Sequence, residues 1–187
     1  MHRAHLRAPV FDDIVYVCDD YVLKGSCENI SQGGVLLKEI GKVPVNLTFP
    51  ILLPLVQYPE FSKLSNKKVL SVERSSFNVE VVRATVTIVR SFKGKSEVEK
   101  VLMKSFGGQF VALGEADSIL ISDYVQTYAK NLVHLLSLFE SHSSKASNIA
   151  YLRKVASLLG YDGQEKLAVL RQKVLHDYQS VIDIDPV

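Results

Sequence analysis

The sequence predicts a mainly β fold of the α+β class: a six-stranded antiparallel β-barrel followed by C-terminal α-helices. Residues 1–114 are rich in Val, Ile, Thr and aromatic residues, in short runs broken by Gly, Pro, Asn and Asp. Residues 115–187 are instead rich in Leu, Ala, Lys and Gln at helical spacing. Six short strands in the first part favour a closed barrel, because closure leaves no strand edge exposed.

Six runs of the first part have the composition of strands, and they span residues 14–18, 21–30, 34–39, 43–53, 77–90 and 109–113. The fifth is the clearest, because apolar and polar side chains alternate along it. The fourth is predicted to be extended, because Pro44 and Pro50 exclude the interior of a helix. Residues 57–76 are predicted to form a polar, lysine-bearing loop, and residues 92–104 the end of a long hairpin.

The second part is predicted to hold three helices, at residues 115–139, 148–160 and 164–182, with a linker at residues 141–147. Glu115 and Asp117 lie in the first turn of the first helix, where they suit the positive end of its dipole. Asn148 is a candidate cap for the second helix, and Gly160 ends it. The Leu-rich faces of these helices could pack against the barrel, against one another or against a second subunit, and the sequence does not decide among the three.

Charge and composition exclude several classes of protein. The chain has 187 residues, of which 47% are hydrophobic and 22% charged, so it is not a disordered chain. Its net charge is +2, made up of +4 over residues 1–114 and −2 over residues 115–187. These excesses are too small for bulk electrostatic capture of nucleic acid or of an anionic membrane. Neither DNA nor RNA is therefore an expected partner, and a barrel that binds single-stranded nucleic acid is the weakest of the classes considered.

The location expected from the sequence is the cytoplasm. No uncharged apolar run reaches 18 residues, and the longest apolar stretch, at residues 43–56, is interrupted by prolines, so no membrane span is predicted. The residues after Met1 are polar and basic, which is not the pattern of a signal peptide. Cys18 and Cys27 are therefore expected to be reduced thiols in strands.

Enzymatic motifs do not occur in the sequence. It contains no phosphate-binding glycine loop, dinucleotide fingerprint, zinc-protease helix or serine-hydrolase elbow. His134 and His142 stand eight residues apart without a neighbouring carboxylate or cysteine ligand, so no metal site is predicted. Cys18 has no base assigned to it and is interpreted as a buried, inert thiol. The sequence thus predicts a protein that is not an enzyme and that needs no cofactor.

Two arginines lie at the start of the chain. Arg3 and Arg7 stand four residues apart on a short arm before the first strand, and they point the same way whether the arm is helical or extended. A guanidinium forks two donors onto the O6 and N7 atoms of guanine, or onto phosphate oxygens, and it also lies flat on a base. Taken alone, the pair is equally a frayed basic terminus.

A second polar group lies between two predicted strands, in the run Asn29-Ile30-Ser31-Gln32-Gly33-Gly34. The two glycines permit positive φ and leave backbone N–H groups uncovered. Ser31 adds a hydroxyl, and Asn29 adds a carbonyl oxygen and an amide. Such a set can receive a base edge and a phosphate together. Taken alone, it is better explained as a hairpin turn.

The combination of the two motifs is more specific. R-x-x-x-R at Arg3 and Arg7, followed by [DN]-x-S-x-x-G at Asn29, Ser31 and Gly34, resembles the PilZ domain family of cyclic di-GMP receptors. The resemblance covers residues 1–114, and it implies a PilZ-like barrel with an N-terminal ligand-binding arm, followed by a helical extension at residues 115–187. The ligand-binding residues that it implies are Arg3, Arg7, Asn29, Ser31, Gly33 and Gly34.

The resemblance also implies roles for these residues. The arm would wrap over cyclic di-GMP, so that Arg3 and Arg7 contact guanine edges and phosphates while Asn29 and Ser31 meet the other guanine. Gly34 would keep the approach free of a β-carbon. Many family members carry Asp at the position of Asn29, and a carboxylate accepts from both N1–H and N2–H of guanine, so Asn29 is expected to weaken binding by about 1 kcal/mol.

The function implied is that of a non-catalytic bacterial receptor in second-messenger signalling. Binding would order the arm, change the conformation and signal to a partner protein. The alternative is a degenerate PilZ-like barrel that acts as a structural or oligomerising interaction module without binding nucleotide. The C-terminal helices would then mediate self-association.

Overall fold

The computed structural model describes residues 5–95, 102–141 and 146–182. Among these residues, seven strands, β1–β7 in chain order, span Arg7–Pro9, Asp13–Cys18, Tyr21–Ser31, Gly34–Lys38, Thr48–Val56, Val79–Lys95 and Leu102–Leu113. The described ranges also hold four helices, α1–α4, which span Asn66–Ser71, Glu115–Glu140, Ala146–Leu158 and Leu167–Ile182. Two short 3-10 turns, Phe61–Lys63 and Arg74–Ser76, flank α1.

Six of the strands form a closed antiparallel barrel. Their order around the barrel is β3-β2-β5-β6-β7-β4, and pairing between β3 and β4 closes it. β1 is an additional strand that pairs with the last residues of β3. It lies on the same edge of β3 as β2, which pairs with the earlier residues of that strand. The predicted fold class, a six-stranded antiparallel barrel followed by helices, is therefore confirmed.

The core of the barrel follows from the alternation of its strands. Along β2 and β5 every second side chain is fully buried. Examples are Ile14 and Tyr16 in β2, and Ile51 and Leu53 in β5. Each such side chain stabilises the fold by roughly 1.5–3 kcal/mol relative to an exposed one. The cysteines also lie in strands, Cys18 in β2 and Cys27 in β3, as buried free thiols, which confirms that prediction.

Helix α2 begins at Glu115, as predicted, and packs its apolar face against the barrel and the other helices. Its buried residues include Ile121, Tyr124, Val125, Tyr128, Leu132 and Leu135. Asp117 in its first turn accepts a hydrogen bond from the backbone N–H of Arg83 at 3.2 Å, which fixes the start of the helix to β6. In α4, Leu170, Val174 and Val181 are likewise buried. The apolar faces that the sequence left open to a second subunit thus pack within the chain.

Several local predictions were wrong, three of them at the helices. Residues 57–76 are not only a loop, because Ser65 caps α1 by accepting from the N–H of Lys68 at 3.3 Å and Val69 of α1 is buried. Asn148 does not cap α3, since that helix already begins at Ala146. The last helix begins at Leu167 rather than residue 164, because Asp162 holds the N–H of Gln164 in a turn at 2.9 Å.

Within the described ranges, no helix combines the length and the apolar composition that crossing a bilayer requires. The same part of the chain holds no cluster of three His, Cys, Asp or Glu side chains placed to bind a metal ion. His134 instead lies beside Tyr151, with its Nε2 atom 3.2 Å from the hydroxyl, whereas His142 lies outside the described residues.

Candidate functional site

The pairing of β1 with β3 brings the two sequence motifs together. Arg7 lies directly opposite Ser31, and Pro9 lies directly opposite Asn29. Directly opposed residues of antiparallel strands project from the same face, with Cβ atoms roughly 4.5–5.5 Å apart. Arg7 is therefore a cross-strand neighbour of the Asn-Ser motif. Arg3, the other predicted arginine, lies outside the described residues.

A β-bulge at Glu28 decides which face the motif occupies. Cys27 pairs with Leu37 and Asn29 with Leu36, so Glu28 is an extra residue that no residue of β4 opposes in the strand register. Regular alternation would place Cys27 and Asn29 on the same face. With the bulge, Cys27 is buried in the core while Asn29 is only half-buried, on the face that carries Arg7 and Ser31.

The polar groups of the motif are held in defined positions. The hydroxyl of Ser31 donates to the carbonyl of Gly34 at 3.3 Å, and only 8% of this residue is exposed. Its oxygen keeps its acceptor capacity, because a hydroxyl has two lone pairs besides its proton. The backbone carbonyl of Asn29 accepts from the thiol of Cys27 at 3.2 Å, which fixes the strand beneath the Asn29 side chain.

The two glycines serve packing in different ways. A Cβ at Gly33 would lie 3.1 Å from the Cδ2 atom of His5, so the missing side chain lets the start of the arm rest against the turn. A Cβ at Gly34 would lie 2.1 Å from the carbonyl oxygen of Gly108, so glycine is required where β4 meets β7. Neither has the positive φ that the sequence permitted. A role for Gly34 in keeping the ligand's approach open stays a prediction.

The arm is also connected to the helical part of the chain. The hydroxyl of Tyr124 on α2 donates to the carbonyl of Pro9 at 2.6 Å. Burial is the main cause that raises the pKa of Tyr124 well above its usual value, so this hydroxyl stays protonated and donates throughout the neutral range. A movement of β1 can therefore reach α2 directly through this hydrogen bond.

A cavity of about 480 Å³ opens beside Pro9, between the arm and the helices. One side is formed by Pro9 of β1 and by Phe11, and the other includes Tyr161, which precedes α4, together with Lys173, His176 and Asp177 of α4. The volume lies within the range of roughly 300–1,000 Å³ that is typical of small-molecule sites. These residues were not predicted as site residues, because nothing local in the sequence indicates that α4 reaches the arm.

The fold and this arrangement define a small β-barrel protein with helices packed against it, in which arginine, amide and hydroxyl groups gather where an added strand joins the barrel. Three solved structures are similar to it. The Bacillus subtilis inhibitor of motility MotI/DgrA is 12% identical, with a TM-score of 0.47. The PilZ domain with c-di-GMP of YcgR from Escherichia coli is 10% identical, with a TM-score of 0.44. The K. pneumonia MrkH–c-di-GMP complex is 11% identical, with a TM-score of 0.42.

The matches cover 67%, 68% and 76% of this chain, respectively. This chain spans 50% of MotI/DgrA and 55% of MrkH, but 91% of the YcgR PilZ domain. The PilZ domain, the family that the sequence resembles, is thus among the similar structures. No protein-family model and no curated protein matches the chain.

Proposed function

We propose that this protein binds cyclic di-GMP where β1 joins β3, and that it acts as a non-catalytic receptor that signals to a partner protein. The observation that carries the proposal is the register of the two strands, which sets Arg7 opposite Ser31 and beside Asn29. Residues 1–114 would then be the ligand-binding unit, and residues 115–187 would receive the signal.

The chemistry of the site suits this ligand. Cyclic di-GMP presents two guanines and two phosphates, so its partners must be forked cations and neutral polar groups. Arg7 offers two parallel N–H donors to O6 and N7 of guanine or to a phosphate. Asn29 and Ser31 offer an amide and a hydroxyl on the same face. We assign Arg3 to the same ligand from its place in the motif.

Signalling would run from the arm into the helices. Ligand held between Arg7 and Ser31 would change the position of β1, and Tyr124 bonds to Pro9 at the end of that strand. A two-state change of this kind requires that the ligand favour one position of β1 over the other. Hydrogen exchange of α2 with and without cyclic di-GMP would measure it, and protection that is lost in Tyr124→Phe is the expected result.

Calorimetric titration with cyclic di-GMP tests the binding itself. Arg7→Ala is expected to weaken binding by about 10- to 100-fold, because a charge-assisted hydrogen bond contributes roughly 1.5–3 kcal/mol. Ser31→Ala is expected to weaken it about fivefold, for a neutral hydrogen bond of about 1 kcal/mol. The matched control is Arg83→Ala, an exposed arginine on β6, across the barrel from β3. Equal heats for the wild type and Arg7→Ala, or no heat from the wild type, would refute the proposal.

One observation favours a second function, that of an interaction module without nucleotide. The outside of the barrel carries exposed aliphatic side chains: Val22 is 72% exposed and Val17, its partner in the β2–β3 pair, 37%. Leu52 on the neighbouring β5 is 43% exposed. Sedimentation separates the two functions. A dimer that forms without ligand and dissociates in Val22→Lys, together with no heat from cyclic di-GMP, would support the interaction module.

A further inference from the structure

The cavity beside Pro9 adjoins the proposed ligand face. Pro9 lies directly opposite Asn29, so the cavity begins at the end of the strand pair that holds the sequence motif. Helix α4 forms much of the other side, through residues that include Lys173, His176 and Asp177. A ligand that contacts Arg7 and Asn29 can therefore extend from the barrel surface into a space bounded by α4.

Asp177 lines this cavity with a carboxylate, a group that can identify a base by accepting hydrogen bonds from it. One oxygen of its carboxylate accepts from the hydroxyl of Tyr161 at 2.8 Å, and the other lies 3.4 Å from the Nδ1 atom of His176. Burial and then the neighbouring Asp177 charge raise the pKa of Tyr161, so its hydroxyl remains a donor and orients the carboxylate. A carboxylate has about four acceptor positions, so both oxygens can accept a further hydrogen bond.

Phe11 supplies an aromatic surface in the same cavity. The residue is 45% exposed, and the guanidinium carbon of Arg74 lies over one face of its ring, 5.0 Å from the centroid, so a base would stack on the other face. A Cβ at Gly160 would lie 2.9 Å from the Cζ atom of Phe11, so the ring rests against the backbone of a residue that has no side chain. A ring held in place in this way is a surface on which a purine can stack.

We infer that this cavity is a guanine pocket, in which Asp177 accepts from N1–H and N2–H of the base and Phe11 stacks on it. The inference rests on the proposed function and extends it by assigning α4 a direct role in ligand specificity. It also accounts for Asn29. An amide accepts from guanine through one oxygen only, whereas the carboxylate that accepts from both donors of a base is here supplied by the C-terminal helix.

Cyclic di-AMP is the informative comparison ligand, because adenine has an acceptor at N1 and no N2 amine. The wild type is expected to bind cyclic di-GMP more tightly than cyclic di-AMP. Asp177→Asn places an NH₂ donor against the donors of guanine, so it should weaken cyclic di-GMP binding about tenfold and leave cyclic di-AMP binding unchanged. Phe11→Ala should weaken the binding of both ligands. Asp123→Asn, an exposed carboxylate on α2, is the matched control and should change neither affinity.

The outcomes distinguish this inference from the function on which it rests. If Arg7→Ala weakens the binding of cyclic di-GMP while Asp177→Asn and Phe11→Ala bind it as the wild type does, the guanine pocket is refuted and the receptor function stands. If the wild type does not bind cyclic di-GMP, both are refuted. Thermal melting of each variant shows that it is folded, and Phe11→Ala provides the result if Asp177→Asn does not fold.

Discussion

The side-chain carbonyl of Asn131 accepts a hydrogen bond from the backbone N–H of Phe61 at 2.9 Å. The amide nitrogen of the same side chain donates to the carbonyl of Pro59, also at 2.9 Å. Asn131 is only 1% exposed. One buried side chain thus satisfies two backbone groups and joins the middle of α2 to the segment that follows β5.

Asn131→Ala is therefore expected to destabilise the protein by about 2–4 kcal/mol, because each unsatisfied buried polar group costs roughly 1–3 kcal/mol. Urea denaturation measures the change in the free energy of unfolding. Asn66→Ala, an exposed asparagine at the start of α1, is the control and should change it by no more than about 0.5 kcal/mol. Equal losses in the two variants would show that the hydrogen bonds to Phe61 and Pro59 contribute nothing.

Gly160→Ala should also destabilise the fold. Gly160 has φ +95°, and a Cβ there would lie 2.9 Å from Phe11, so backbone strain and a steric clash act together. The backbone contribution alone is about 1–2 kcal/mol. The double variant Phe11→Ala/Gly160→Ala removes the clash, so thermal melting should show that Gly160→Ala costs less in that background.

Gly41→Ala is the control for this substitution, since no atom would lie within 4 Å of its Cβ and its φ is not positive. It is expected to leave the melting temperature nearly unchanged. If the Gly160→Ala variant had the same melting temperature as the Gly41→Ala variant, the contact of Phe11 with Gly160 would not explain the need for glycine at this position.

Cys27 should make stability fall at high pH. Burial raises the pKa of its thiol from 9.0 to about 12. Below pH 9 the thiol is protonated in both the folded and the unfolded state, so its contribution to the free energy of unfolding is complete. As the pH rises from 9 to 12, only the thiol of the unfolded state ionises, and this contribution is lost. The free energy of unfolding of the wild type should therefore fall relative to that of Cys27→Ala by about 1.4 kcal/mol per pH unit above pH 9. Parallel pH profiles of the two proteins would refute this.

Asn29→Asp tests the contacts expected at the barrel face through an expected gain in affinity. A carboxylate accepts from both N1–H and N2–H of guanine, so the variant should bind cyclic di-GMP about fivefold more tightly, for a gain of about 1 kcal/mol. Calorimetric titration measures it, with Asn78→Asp, an exposed position just before β6, as the control. Weaker binding by Asn29→Asp would mean that Asn29 faces a phosphate rather than a base edge.

The sequence was sufficient for features that depend on local pattern. Alternation along residues 77–90 predicted most of β6, and the acidic first turn at Glu115 predicted the start of α2. The resemblance to the PilZ domain family grouped Arg7, Asn29 and Ser31, and the structure places these residues on neighbouring strands, while their role in binding stays a prediction. The predictions of β6 and of the start of α2 held because hydrophobic period and helix-end chemistry act over a few residues.

The features that the sequence did not reveal depend on contacts between distant residues. The bulge at Glu28 exists only relative to β4, so period-two reading of β3 would assign Cys27 and Asn29 to the same face. Asp177 and Phe11 share a cavity only because α4 packs beside β1. Neither arrangement has a local sequence signature, and the α4 side of the cavity was therefore missed.

The bond from Tyr124 to the arm ends on a main-chain oxygen, that of Pro9, rather than on a side chain. Every amino acid carries that oxygen, so mutation of residue 9 cannot delete the acceptor. Side chains of this segment can therefore be exchanged without removing the acceptor that joins β1 to α2. If the proposed function is correct, ligand recognition would depend on the side chains of the segment, whereas its connection to the long helix depends on the main chain.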